Sequence, residues 1–303
     1  MKTVLPLSAE SAIPSLFSLL ISPMYLRSYL HCGKFKLDLS RPLVMGIVNV
    51  TPDSFSDGGQ HLPREAALTH AHQLIAEGAD LLDIGGESSR PGAQPVGVQE
   101  ELDRVLPIIE GLRDAPVPIS IDTYKPEVME AAIAAGVQMV NDINALQDPA
   151  AMSVVAGSSV AVCLMHKRGN PQTMQAQPQY LDVVAEVSEF LRRRIAAAAK
   201  AGIEPKRIVI DPGFGFGKTM EHNLVILREL NKLVEMGMPV LAGLSRKSML
   251  GTLTGQDVGD RLSASIAAAL IAVQRGASIV RVHDVRATVD ALKVWNAVKG
   301  ESA

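Results

Sequence analysis

Cysteine is nearly absent from this 303-residue chain. The two present, Cys32 and Cys163, lie far apart and in no Cys-x-x-Cys pattern. That excludes a disulfide framework and a zinc knuckle and fits a reduced, cytoplasmic protein. Aromatic residues are also scarce, at 4% of the chain with a single Trp, so Ala, Val, Ile and Leu must build the core. No excess of basic charge exists: 29 Lys and Arg face 32 Asp and Glu, for a net charge of −3. This argues against nucleic acid as a partner, although it leaves room for a local anion site. Nor is there an unbroken apolar run of membrane-spanning length. Residues 13–30 are fairly apolar, but Pro14, Pro23, Arg27 and several serines interrupt them. As a secretory signal the same stretch has one Lys, at position 2, a weak apolar region and no small-residue cleavage site. Residues 1–30 are therefore expected to be a poorly ordered extension or, alternatively, the product of a start assigned upstream of Met24. Targeting ranks third.

From residue 43 the chain acquires a rhythm. Short apolar runs cover residues 43–50, 79–84, 117–121, 138–143, 160–165, 207–210, 239–244 and 278–282. Runs apolar on both faces suit parallel strands covered by helices. Helical patterns lie between them, at 63–77, 126–135, 181–201, 221–236 and 257–275. Each is followed by a glycine, at 78, 136, 202, 237 and 276, as a helix stop signal would be. Eight β-then-α units predict one α/β domain over residues 31–303, a (β/α)8 barrel of the TIM type. A doubly wound open sheet is the alternative.

Nearly every predicted strand ends in polar residues. Asn49 and Asp53 follow the first; Asp83 lies on the second, which runs into Glu87, Ser89 and Arg90. Asp122 closes the third, Asn141 and Asp142 lie on the fourth, and His166 and Asp211 close the fifth and sixth. Lys247 follows the seventh, and the eighth ends in Arg281, Val282 and His283. In a parallel barrel these ends share one rim, where barrel enzymes keep their chemistry. Carboxylates facing inward are costly without partners. Asp122, Asn141 and Asp211 would suit a ligand edge rich in N–H donors, such as that of a pterin or guanine. Ion pairs to Lys247 or Arg281, or helix capping, are an equal alternative. Arg90, Arg246, Lys247, Arg281 and His283 would suit a phosphate, and a surface role is the other reading for Arg246. The loops at 51–60 and 85–97 read as lids or as plain connections. Two patterns are decoys. The string 213–219 imitates a phosphate loop, but the pattern needs glycine where Pro212 stands, so a flexible rim loop is expected there. Asn49-Val50-Thr51 matches a glycosylation sequon at a strand end.

Six strings together resemble the dihydropteroate synthase family: VMGIVNVTPDSFSDGG at 44–59, DIGGESSRPGA at 83–93, residues 120–123, DPGFGFGK at 211–218, SRKS at 245–248 and RVHD at 281–284. The resemblance spans residues 31–298 in the family's motif order. It implies condensation of (7,8-dihydropterin-6-yl)methyl diphosphate with 4-aminobenzoate, giving 7,8-dihydropteroate and pyrophosphate through a pterin methylene cation. It further implies that Asp122, Asn141 and Asp211 hold the pterin edge. Asp122 would stabilise the cation, and Lys247 would bond the pterin carbonyl and order the neighbouring 4-aminobenzoate. Arg281 would stack on the pterin and, with His283, grip the diphosphate, and Val282 between them would count among the substrate-binding residues. Asn49 would bind Mg²⁺, with Asp53 close by, and Ser89 and Arg90 would border both substrates. Ser89 stands where many members have threonine, which keeps the hydroxyl, and Lys167-Arg168 falls where members vary. Members are targets of sulfonamides, which imitate 4-aminobenzoate, and are usually homodimers. Two other readings compete: a methyltetrahydrofolate-type pterin methyltransferase, which has no use for a diphosphate grip, and a non-catalytic pterin-binding paralogue, which should have lost a metal, loop or cation residue.

Overall fold

The computed structural model describes residues 28–50, 61–88, 94–169 and 178–300. It opens with an antiparallel hairpin of β1 (Tyr29–Cys32) and β2 (Phe35–Asp38). Eight strands follow: β3 (Leu43–Asn49), β4 (Leu81–Gly85), β5 (Ile119–Asp122), β6 (Met139–Asp142), β7 (Ala161–Met165), β8 (Ile208–Asp211), β9 (Leu241–Ala242) and β10 (Ile279–Val282). They pair in parallel in the order β8-β7-β6-β5-β4-β3-β10-β9. One parallel bridge between Ile210 and Val240 joins the two ends, with Ile210 N donating to Pro239 O at 3.0 Å. The expected (β/α)8 barrel is the fold. Each expected strand is present, though the seventh is shorter than its apolar run. Pro239 has no N–H to donate and Gly243 no side chain to pack, and the regular ladder there is confined to Leu241–Ala242.

The helices are α1 (His61–Ala76), α2 (Val98–Gly111), α3 (Pro126–Ala135), α4 (Pro149–Ala156), α5 (Val183–Lys200), α6 (Met220–Arg228), α7 (Leu230–Val234), α8 (Ser248–Thr254), α9 (Leu262–Gln274) and α10 (Val285–Lys299). The five glycines read as stop signals all adopt positive φ, between 85° and 110°. At Gly136 the left-handed residue turns its N–H back onto Ala132 O and Ile133 O and closes α3. Two expected helices differ. The one over 221–236 is parted at Glu229, whose φ of −108° and ψ of 20° leave the helical region. The one over 257–275 begins only at Leu262, after a single 3-10 turn at residues 258–260.

Side-chain parity along the strands decides what faces the barrel axis. Leu43, Met45, Leu81, Met139, Ala161, Cys163, Val209, Leu241 and Ile279 form an inner cluster, and Leu30 and Cys32 of the hairpin complete it from below. Their neighbours on the strands, such as Val44, Leu82, Ile121, Val162, Ile210 and Val280, belong to the larger cluster shared with the helices. The hairpin therefore closes the bottom of the barrel. Leu30 is fully buried, so the folded unit reaches below residue 31. The rest of the expected extension, residues 1–27, lies outside the described residues. Leu30→Ala should lower the unfolding free energy by roughly 2.5–5 kcal/mol, as a Leu-to-Ala cavity in a fixed core does. The urea midpoint measures this, and an unchanged midpoint would mean that the hairpin is not part of the cooperative unit.

Candidate active site

Continuing the same parity one step up each strand gives the polar layer of the mouth. Two residues beyond Leu81 is Asp83, beyond Met139 is Asn141, beyond Val209 is Asp211 and beyond Ile279 is Arg281. Asp122 and Asn49 end their strands on this face. The period-two rule thus gathers residues from six strands into one pocket floor.

Arg281 organises that floor. Its Nε donates to Asp83 Oδ2 at 2.5 Å and its Nη2 to Asp122 Oδ2 at 2.7 Å. Asn141 Nδ2 donates to the same Asp83 oxygen at 3.0 Å. Burial pushes the Asp122 carboxyl up to about 7, against the pull of Arg281 and Lys247. Burial also raises Asp211 to about 6; there the Gly213 N–H, donating to Oδ1 at 2.6 Å, opposes it. Two buried oxygens on paired positions of neighbouring strands, Asp83 Oδ1 and Ser120 Oγ, have no hydrogen-bond partner among the described residues. Natural interiors rarely leave such groups unpaired.

The rim adds cations and an apolar roof. Ser245 Oγ lies 3.0 Å from His283 Nδ1 and accepts from His283 N at 3.2 Å. Arg246 forks onto Asp284, with Nε to Oδ2 at 3.1 Å and Nη2 to Oδ1 at 2.5 Å. Its left-handed backbone, φ 57°, carries the chain into Lys247. Arg246 is thus paired within the fold while about a third of its side chain stays exposed. Lys247 Nζ lies 4.3 Å from the Phe216 ring centroid. Ile143, Met165, Phe216 and Tyr124 cluster beside it. At the stem of the second loop, Glu87 accepts from Tyr124 Oη at 3.1 Å, and Lys125 pairs with both Glu87 and the buried Glu101. A Cβ added to Gly85 would stand 3.9 Å from both Asn49 Oδ1 and Asp122 Oδ2, so these two oxygens border the same space.

The structure assembles most of the residues singled out in the sequence and corrects others. Asn49, Asp122, Asn141, Asp211, Lys247, Arg281 and His283 share the mouth. Asp53, Ser89 and Arg90 lie outside the described residues. Val282 turns its side chain into the helix-facing core, so that side chain is not among those lining the mouth. The segment 213–218 is no flexible rim loop. A Cβ at Gly213, whose φ is 68°, would stand 1.9 Å from His166 O, and only glycine tolerates that backbone and that contact. For Asp122 the ion pair left open as an alternative is present. Asp83 had been read only as a polar strand residue, yet it binds Arg281 and Asn141; an acid two positions beyond an inward Leu was the signal. A cleft of about 490 Å³ opens away from this chemistry, between Tyr124, Glu127, Glu130 and Asp148. A smaller cavity of about 140 Å³ lies beside Lys247, lined also by Gly215, Asn223 and Ser248.

Comparison with known proteins agrees with this geometry. The pterin binding enzyme family matches residues 45–283. A dihydropteroate synthase of Neisseria meningitidis serogroup C is 52% identical over 271 residues, covering 88% of this chain and 96% of that protein. That of Escherichia coli K12 is 49% identical over 262 residues, covering 86% and 93%. Among solved structures, the dihydropteroate synthase of Xanthomonas albilineans with 4-aminobenzoic acid superposes with a TM-score of 0.86 at 56% identity, covering 91% of this chain and all of that one. The same organism's enzyme in complex with 7,8-dihydropteroate gives 0.81 at 51% identity, with the same coverage. The chain belongs to the dihydropteroate synthase family of pterin-binding enzymes.

Proposed function

We propose that the chain joins (7,8-dihydropterin-6-yl)methyl diphosphate to 4-aminobenzoate, releasing pyrophosphate and forming 7,8-dihydropteroate in folate biosynthesis. The methylene C–O bond breaks, its electrons leave with the diphosphate, and the aromatic amine forms the new C–N bond and loses a proton. The observation that carries this reading is the inward-facing layer of acid and amide side chains at the barrel mouth, Asp122, Asn141 and Asp211. A pterin edge presents a row of N–H groups and satisfies such a layer. Asp122, Asn141 and Asp211 take that edge. Asp122, in its ionised form, places its negative charge where the methylene cation develops. Arg281 already engages Asp122, so the entering pterin must share that oxygen or turn the guanidinium along its face toward the diphosphate, where His283 stands. Lys247 bonds the pterin carbonyl and borders the 140 Å³ cavity, to which we assign 4-aminobenzoate and its sulfonamide mimics. Ser89 and Arg90 are assigned to substrate binding on their sequence motif alone.

Asn49 is the proposed Mg²⁺ ligand. Among the described residues no group of three His, Cys, Asp or Glu could hold a metal, and the fit rests on a different donor set. Mg²⁺ commonly takes one or two protein oxygens with substrate phosphates and water, and the Asn49 amide oxygen borders the space over Gly85. When bound, the ion would neutralise charge on the departing diphosphate. Asn49→Ala should raise the Mg²⁺ concentration for half-maximal rate by roughly tenfold or more. An unchanged metal titration would remove Asn49 from this role.

Two copies are proposed to associate through the last helices. Leu253, Leu262, Ile271, Val294 and Val298 on α8, α9 and α10 are exposed apolar residues, and light scattering of the purified chain tests this. Among the described residues no helix is long and apolar enough to cross a membrane. The two thiols, both buried and reduced, support a cytoplasmic site. The reaction is tested by pyrophosphate release with the pterin diphosphate and Mg²⁺. Release that requires 4-aminobenzoate and yields dihydropteroate supports the reading. Pterin binding without product would favour the non-catalytic alternative.

A further inference from the structure

The reaction as described makes no use of Lys218, although it is almost completely buried. Its Nζ lies 2.9 Å from His166 Nδ1, and it donates to Gly213 O at 2.9 Å, Phe216 O at 3.1 Å and His166 O at 3.3 Å. Burial and the nearby cations Lys218 and Arg168 drive the pKa of His166 down to about 2. The imidazole is therefore neutral and offers Nδ1 as an acceptor. Its ring is fixed by an edge contact with Phe190, 5.0 Å between centroids. The neighbouring Thr219 hydroxyl caps α6, accepting from His222 N at 3.2 Å. A buried ammonium ringed by carbonyls of its own loop ties that loop as an internal cation would.

The tied loop carries the residues that meet Lys247. Phe216 lies against Lys247 Nζ, and a Cβ on Gly215 would stand 3.4 Å from Lys247 Cδ. We infer that Lys218 is a positioning residue: it fastens segment 213–218 through the Gly213 and Phe216 carbonyls and His166, and so sets the wall against which Lys247 receives the aromatic amine substrate. This rests on the reaction proposed above. The groups that face Lys218 are Asp211, Lys247, Arg168 and His166. Burial lowers the lysine to about 7, so the ammonium loses its proton, and the carbonyls one donor, as pH rises past neutrality.

The test compares wild type, Lys218→Met and His166→Phe. The KM for 4-aminobenzoate is measured from pH 6 to 9, and binding of the pterin diphosphate alone by calorimetry. Lys218→Met should raise the KM for 4-aminobenzoate at least roughly tenfold, as misplacement of a binding wall does. Pterin affinity should stay within about threefold. The wild-type KM should climb above about pH 7, and in Lys218→Met that climb should vanish. If Lys218→Met does not fold, His166→Phe keeps a ring, removes the side-chain acceptor and spares three carbonyls; a selective KM rise of about threefold is then expected. An unchanged KM in a folded variant overturns the role. Equal weakening of both substrates also overturns it, because that is what a merely structural lysine would give. A wild type that binds pterin but forms no dihydropteroate would overturn the proposed reaction, and with it this role.

Discussion

Replacing Arg281 by Met is expected to lower kcat/KM by about a thousandfold, the upper end of what one preorganised charge contributes, and to destabilise the fold as well. Both effects have one cause. The guanidinium is four-fifths buried and holds Asp83 and Asp122, the first fully buried and the second nearly so. Removing one member of a buried ion-pair set costs about 3–5 kcal/mol, because charges are left uncompensated. The Asp122 carboxyl can escape that cost by taking up a proton. Its pKa in the folded wild type is already raised by burial, with Arg281 pulling it down, and loss of Arg281 raises it further. A carboxyl whose folded pKa lies above its unfolded value contributes stability at acid pH that is lost as pH rises through the folded pKa. The deficit of Arg281→Met relative to wild type should therefore be small near pH 5 and largest at pH 8. Urea midpoints at the two pH values measure it. Arg281→Lys should recover much of the stability and little of the activity, because an ammonium cannot reach two carboxylates as a fork does. A deficit independent of pH would mean that Arg281 acts by packing alone.

Most of this site was legible because barrels tie function to strand parity. Once eight apolar runs were counted, Asp122, Asn141, Asp211 and Arg281 had to fall at strand ends on one rim, and they do. Parity also holds where the family resemblance is less discriminating: it turns the Val282 side chain into the helix-facing core and marks Asp83 as inward. What stayed hidden depends on contacts between distant segments. Nothing near residue 218 in the chain announces that its lysine meets the carbonyl of His166, fifty-two positions away. The Gly-rich string before it looked mobile because glycine is permissive, whereas Gly213 is required by a close approach to His166 O. The hairpin at residues 29–38 is a similar case. Its four-residue strands carry little signal of their own, and their role appears only when the barrel floor needs a cover.

Asp122→Asn should separate activity from stability more sharply than any other single change. The substitution keeps shape and an acceptor for Arg281 and removes only the charge. If that charge stabilises the methylene cation, kcat/KM falls by about 10²–10³, or roughly 3–4 kcal/mol of transition-state stabilisation. The KM for 4-aminobenzoate, assigned above to the cavity beside Lys247, should scarcely move. Wild-type kcat/KM should decline as pH falls through about 7, where Asp122 takes a proton, and decline again near 6 with Asp211. The variant should lack the first step and keep the second. Stability should move the other way. Because the folded pKa of Asp122 lies above the unfolded value, its ionisation weakens the fold as pH rises from about 4 to about 7. Asparagine carries no such liability, so at pH 8 the variant should unfold at a urea concentration no lower than wild type does, and its advantage should shrink toward pH 5. A slower, sturdier enzyme at pH 8 would show that the burial of Asp122 is a strain the fold tolerates for the reaction. An activity loss accompanied by a pH 8 stability loss would instead make Asp122 a structural partner of Arg281, and the charge facing the cation would then have to be sought at Asp83 or Asp211.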